Sequence, residues 1–117
     1  MAAEPEPAVI AAAADPAAIA TEAWVYLLRC RDGSLYTGWT TDLERRLARH
    51  QAGTASRYTA SRRPVALAVA LPMDSRTAAR REEARIKRLP RRAKLELLEL
   101  AHARSHPGGS GSRWAGA

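Results

Sequence analysis

A small α+β sandwich with the element order β-β-α-β-α-α is expected for this chain, on three observations. Two β-rich runs flank an Asp32-Gly33 turn, a third apolar run lies at Val65 to Leu71, and helical start and stop signals fill the rest. With so few strands, helices must cover the sheet if its apolar faces are to be buried.

The first run, Trp24-Val25-Tyr26-Leu27-Leu28-Arg29-Cys30, is continuous in β-formers, as in a strand covered on both faces. Asp32-Gly33 is a strong hairpin signal, and Leu35 to Trp39 returns as the second strand. Thr41-Asp42-Leu43-Glu44 has the form of a capping box, so a helix is expected to start there, run to about Gln51 and stop near Gly53. The segment 57–64 reads as a polar, basic loop before the third strand, which Pro72 is expected to end. Asp74 or Ser75 can cap a second helix through Leu89; Pro90 then interrupts it and opens a third helix from Arg91 to about His102. Domain organisation follows. The Ala/Pro-rich, acidic segment 1–22 is expected to be a disordered tail, 105–117 a Gly/Ser-rich flexible tail, and 23–104 the folded domain.

Charge is unevenly placed. The chain carries 19 Lys and Arg against 12 Asp and Glu, yet its first 22 residues contain four acids and no base. The remaining core attracts polyanions, of which nucleic acid is the commonest, although 17 arginines to two lysines is also what a GC-rich genome's codon usage produces. Cys30 is the sole cysteine, and His50, His102 and His106 do not form a zinc-ligand spacing. There is no signal-peptide pattern and no apolar run long enough to span a membrane, so a cytoplasmic location is expected.

Candidate chemistry is sparse. Tyr26 and Tyr36, ten residues apart across the hairpin, can approach on neighbouring strands and present hydroxyls at one edge, or can be ordinary core aromatics. On the first helix Leu43 and Leu47 mark the apolar stripe; His50 falls within about 20° of Leu43, and Arg46 about 60° to one side. Arg46 is therefore the arginine whose stem packs while its head reaches along the sheet, whereas Arg45 and Arg49 point to solvent. On the second helix the wheel through Ala79, Ile86 and Leu89 puts Glu82 near the middle of the buried arc and Glu83 at its edge. Either can face a cleft or simply pair with neighbouring cations, and helical geometry does not choose between them. A tyrosine with an ordinary pKa near 10 is a poor base, but a neighbouring guanidinium and a metal ion are expected to lower that value.

Taken in order, these residues resemble a known family. Trp24-Val25-Tyr26 and Tyr36-Thr37-Gly38 look like loosened halves of the GIY-YIG nuclease motif. The segment Thr41 to His50, the Tyr58-Thr59 loop ending in Arg63-Pro64, and the run Glu83 to Lys87 strengthen the likeness to small stand-alone bacterial proteins of that superfamily. The resemblance spans about Trp24 to Leu98 and implies a three-stranded antiparallel sheet flanked by helices. It further implies a divalent-metal-dependent endonuclease acting on DNA, in repair or processing, with one Mg²⁺ or Mn²⁺ ion. By position, Tyr26 and Tyr36 match the motif tyrosines that place or deprotonate water, and Arg46 the arginine that holds the scissile phosphate. Glu83 matches the metal-ligating glutamate, His50 a residue near the nucleophile, and Gly38 the motif glycine. Arg57, Tyr58, Arg62, Arg63 and Lys87 are candidate nucleic-acid contacts, for DNA or RNA. Trp24 replaces the first motif glycine, Trp39 stands where excision-repair relatives carry lysine, and asparagine is absent altogether. A monomer is expected, and the competing reading is a nucleic-acid-binding module of the same fold that has lost catalysis.

Overall fold

The computed structural model describes residues 21–105, so all but the inner ends of the two expected tails lie outside the described residues. Three strands, β1 (Ala23–Arg29), β2 (Leu35–Thr40) and β3 (Ala66–Met73), form an antiparallel sheet in the order β2-β1-β3. Four helices accompany it: α1 (Leu43–Ala52), a short α2 (Arg57–Ala60), α3 (Arg76–Lys87) and α4 (Arg91–Ser105). The architecture is α+β, as expected, with one additional turn of helix.

Alternation along the central strand divides the core in two. Ala23, Val25 and Leu27 join Val69, Ala79, Ile86, Leu98 and Ala101 on the face covered by α3 and α4. Tyr26, Leu28 and Cys30 face the other way, with Val65, Tyr36, Leu67 and the α1 residues Leu43 and Leu47. Being covered on both faces is why β1 reads as an unbroken apolar run.

Local departures from expectation have identifiable causes. The α1 cap is Asp42 rather than Thr41: its side chain accepts from the Arg45 backbone N–H, so the start is one residue later than the Thr41–Glu44 pattern implied. The helix ends where expected, at Gly53 in the left-handed region with φ 80°. Segment 57–60 is helical because the Ser56 hydroxyl caps it by accepting from Thr59 N–H at 3.1 Å. Pro72 lies inside β3, opposite Trp24, and an edge strand tolerates it because one row of its N–H groups has no ladder partner. A bulge between Leu27 and Leu28 keeps Val69 and Leu67 on opposite faces.

The hairpin tip is tied from both sides. Asp32 accepts from Ser34 and, at 3.0 Å, from the Arg62 Nε, while Arg91 at the start of α4 donates to the Gly33 carbonyl at 2.9 Å. These ties fix the segment before β3 and the start of α4 against the strands that carry the two tyrosines.

Candidate active site

Register brings the tyrosines together. Tyr26 pairs with Gly38 and Tyr36 with Leu28, so the two phenols are diagonal neighbours on the α1 face. Gly38 is needed for this. A Cβ built there would lie 2.5 Å from the Tyr26 hydroxyl and 2.6 Å from its ring carbon, so the phenol occupies the space a side chain would take. The two tyrosines also share a neighbour, because the His50 ring meets each of them edge-on, at centroid distances of 5.5 Å and 5.3 Å.

His50, on the last turn of α1, is 1% exposed and is a member of a hydrogen-bonded chain. Its Nε2 is 2.8 Å from the Tyr26 hydroxyl, its Nδ1 is 2.8 Å from Thr59 Oγ1, and Thr59 is 2.8 Å from Ser56 Oγ. Burial, reinforced by the nearby Arg46 charge, holds the His50 pKa down at about 4, so the ring is neutral at neutral pH. A neutral ring has one donor and one acceptor nitrogen; when Tyr26 donates to Nε2, the Nδ1–H donates to Thr59. Sequence reasoning passed over Ser56 and read Thr59 only as part of the basic loop, not as a partner of His50. Their only signal was a Ser-x-x-Thr spacing before a basic loop.

Burial also governs Tyr26. Its pKa is pushed up to about 12 by burial first and by the Tyr36 phenol next; Arg46, as charge and hydrogen-bonding group, pulls the other way and loses. The expected lowering of the Tyr26 pKa by the guanidinium is thus overturned in the protein alone, because a tyrosine 1% exposed loses more hydration than Arg46 returns. Arg46 itself is half-buried while Arg45 and Arg49 are exposed, as the helical wheel requires.

The two glutamates separate by partner. Arg85 grips both Glu82 oxygens, at 3.0 Å and 2.7 Å, and holds its carboxyl below the usual range. Glu83 has the less exposed side chain, 19% against 29%, pairs with Lys87 at 3.1 Å, and its charge is felt at the Tyr26 hydroxyl. The wheel placed Glu82 deeper because it counted Leu89, which lies beyond the last helical turn and cannot define the helix's stripe. Among the described residues no group of three or more His, Cys, Asp or Glu can enclose a metal ion. One carboxylate is nevertheless a fitting donor set for Mg²⁺, which keeps several waters and takes substrate oxygens.

In the basic loop, Tyr58 is exposed and stacks on Tyr36 at 5.8 Å, with the Arg62 guanidinium 3.8 Å from its ring centroid. Arg62 also bonds Asp32 and the Tyr58 carbonyl, and Arg63 donates to the Ala60 and Gln51 carbonyls, so both serve the fold. Arg57 projects into solvent. Two shallow clefts adjoin at Arg46. One is lined by Thr40, Thr41, Asp42, Arg45, Arg46 and Arg49, the other by Trp39, Thr40, Thr41, Arg46 and Arg76. Neither is lined by Tyr26 or Glu83.

Comparison with known proteins places this arrangement. Residues 22–96 match the model of the GIY-YIG catalytic domain. The UPF0213 protein SH2523 of Staphylococcus haemolyticus is 45% identical over 76 residues, covering 65% of this chain and 93% of that one. A UPF0213 protein of Halobacterium salinarum is 49% identical over 74 residues, covering 63% and 96%. The solution structure of protein EF2693 from E. faecalis superposes with a TM-score of 0.53 at 38% identity, over 77% of this chain and 96% of that one. No helix among the described residues is long and apolar enough to cross a membrane. With the sheet order, the paired tyrosines over a glycine and the matched span in agreement, the chain belongs to the GIY-YIG nuclease family, among relatives named UPF0213 proteins.

Proposed function

We propose that this protein is a divalent-metal-dependent endonuclease that hydrolyses phosphodiester bonds in single-stranded or branched DNA, acting as a cytoplasmic monomer in repair or processing. The supporting observation is the convergence on the Tyr26 hydroxyl of His50 by hydrogen bond and of Arg46 and Glu83 by charge. The Glu83 carboxylate would hold the Mg²⁺ or Mn²⁺ ion, which when bound supplies Lewis acidity at the phosphate and neutralises the leaving oxygen. Arg46 clamps the scissile phosphate and stabilises the charge that develops on it. Tyr26 accepts a proton from the attacking water as its own proton passes to His50 Nε2, and the Nδ1–H bond to Thr59 keeps the ring in the accepting tautomer. Tyr36, half-buried beside them, orients the water or the phosphate.

Nicking of single-stranded and branched DNA with Mg²⁺ tests this. Arg46→Ala is expected to cut about 10²–10³-fold more slowly, the usual loss for a group that stabilises transition-state charge. Glu83→Ala is expected to lose metal-dependent cutting. Equal rates in the wild type and both variants contradict the proposal.

One observation favours the second reading, a binding module without catalysis: the Tyr26 hydroxyl is sealed and its pKa stands at about 12. That reading predicts salt-sensitive, EDTA-indifferent binding with no cleavage under any divalent metal, and metal-dependent cutting rejects it.

A further inference from the structure

We infer that the two clefts meeting at Arg46 form one groove for a single nucleic-acid strand, and that Trp39 at one end stacks an unpaired base next to the phosphate held by Arg46. The inference rests on the nucleic-acid reading above and adds where the strand lies and which side chain receives its base.

The make-up of the cleft walls carries it. Several cations of the basic loop and of α3 are engaged within the protein, while others, Arg57, Arg80 and Arg81 among them, are exposed but line neither cleft. Arg62 is bound to Asp32, Arg63 to two backbone carbonyls, Arg85 to Glu82 and Lys87 to Glu83. Arg45, Arg46 and Arg76 form no ion pair with any described residue, and all three line the clefts. The one carboxylate in those walls, Asp42, caps the helix by accepting the Arg45 backbone N–H, and its single charge offsets only one of the four guanidinium groups of Arg45, Arg46, Arg49 and Arg76. Like charges gathered without counter-ions repel one another, and a string of phosphates removes that repulsion.

Shape agrees with charge. The clefts enclose volumes of about 200 and 270 Å³ and share Thr40, Thr41 and Arg46 as a common floor. They sit where β2, an edge strand, ends; β1 pairs with one side of it and no strand covers the other. Arg45 and Arg49 are one helical turn apart along one bank. Opposite them the larger cleft has Trp39, half-buried and packed against the α3/α4 core. An indole immobilised in this way offers a preformed stacking surface, which accepts any base but only one that has left a duplex. Single strands, gaps and junctions present such a base; intact duplex does not.

The test is binding without chemistry, by fluorescence anisotropy in EDTA, of an oligodeoxythymidylate and of an abasic oligomer with the same number of phosphates. Trp39→Leu is expected to weaken the base-bearing strand about 5- to 150-fold and leave the abasic strand unchanged. Arg76→Gln should weaken both equally and lower the salt slope by about 0.7, whereas Arg92→Gln on α4, which lines neither cleft, leaves that slope alone. If Trp39→Leu does not fold, quenching of Trp39 in a Trp24→Phe/Trp114→Phe background substitutes, expected with the base-bearing strand only. The inference is overturned if loss or quenching is the same with the abasic strand, or if Arg92→Gln and not Arg76→Gln lowers the slope. Wild-type protein that cuts DNA yet gives those results retains its nuclease reading; wild-type protein that binds neither oligomer sinks both.

Discussion

Tyr26 owes its position to three neighbours: Gly38 beneath the ring, His50 at the hydroxyl and Arg46 beside it. Gly38→Ala forces a methyl into contact with the phenol, and rigid strand backbone on one side leaves the ring to move. We expect a loss of stability of about 1–3 kcal/mol, the usual cost of overpacking, together with nicking activity reduced at least as far as in Tyr26→Phe. Thermal melts and nicking rates of the two variants check this. His50 gives a pH signature. Its folded-state pKa of about 4 lies below the ordinary 6.5, so unfolding releases a ring that takes up a proton more readily. The stability this contributes is present above about pH 6.5 and is lost as pH falls towards 4, about 2 kcal/mol of it by pH 5. Urea melts at pH 7.5 and pH 5 should show that difference in the wild type and its absence in His50→Gln. The sequence displayed the tyrosines, Arg46 and His50 because strand alternation and a helical wheel locate them. It concealed Thr59 and Ser56, whose contact with His50 arises from the docking of a separate turn of helix and has no periodicity to betray it.

Helix ends and strand edges determine where those side chains point. Capping by Asp42 and Ser75 sets the phase of α1 and α3, and hence that Arg46 and Glu83 turn inward. Pattern reading found every strand and the three long helices, since hydrophobic period and turn chemistry agree there. It missed α2, where a single capping serine outweighs a run of polar residues that reads as loop. It also ranked the glutamates wrongly for depth, because a residue after the helix was given helical phase. At the end of α1, Gly53 has φ 80° and a Cβ there would come 2.8 Å from the Arg63 guanidinium carbon. Gly53→Ala should destabilise the protein by about 1–2 kcal/mol through the left-handed backbone, a loss visible as a lower melting temperature. The flexible Arg63 tip can move aside, so the backbone conformation accounts for the effect.

For the molecule as a whole, excess positive charge is not a uniform coat. Arg62 binds the hairpin, Arg85 and Lys87 bind the α3 glutamates, and Arg45, Arg46, Arg49 and Arg76 line the clefts at the end of β2. Composition alone disclosed the excess but not this partition, which depends on contacts between distant segments. The account as a whole turns on Glu83 holding a divalent ion within reach of Arg46 and the tyrosines. Crystals soaked with Mn²⁺, examined by anomalous scattering, decide it. The expected result is one Mn²⁺ peak about 2.1 Å from a Glu83 carboxylate oxygen, absent in Glu83→Gln. Mn²⁺ bound elsewhere with Glu83 still paired to Lys87, in a protein that cuts DNA, would contradict it.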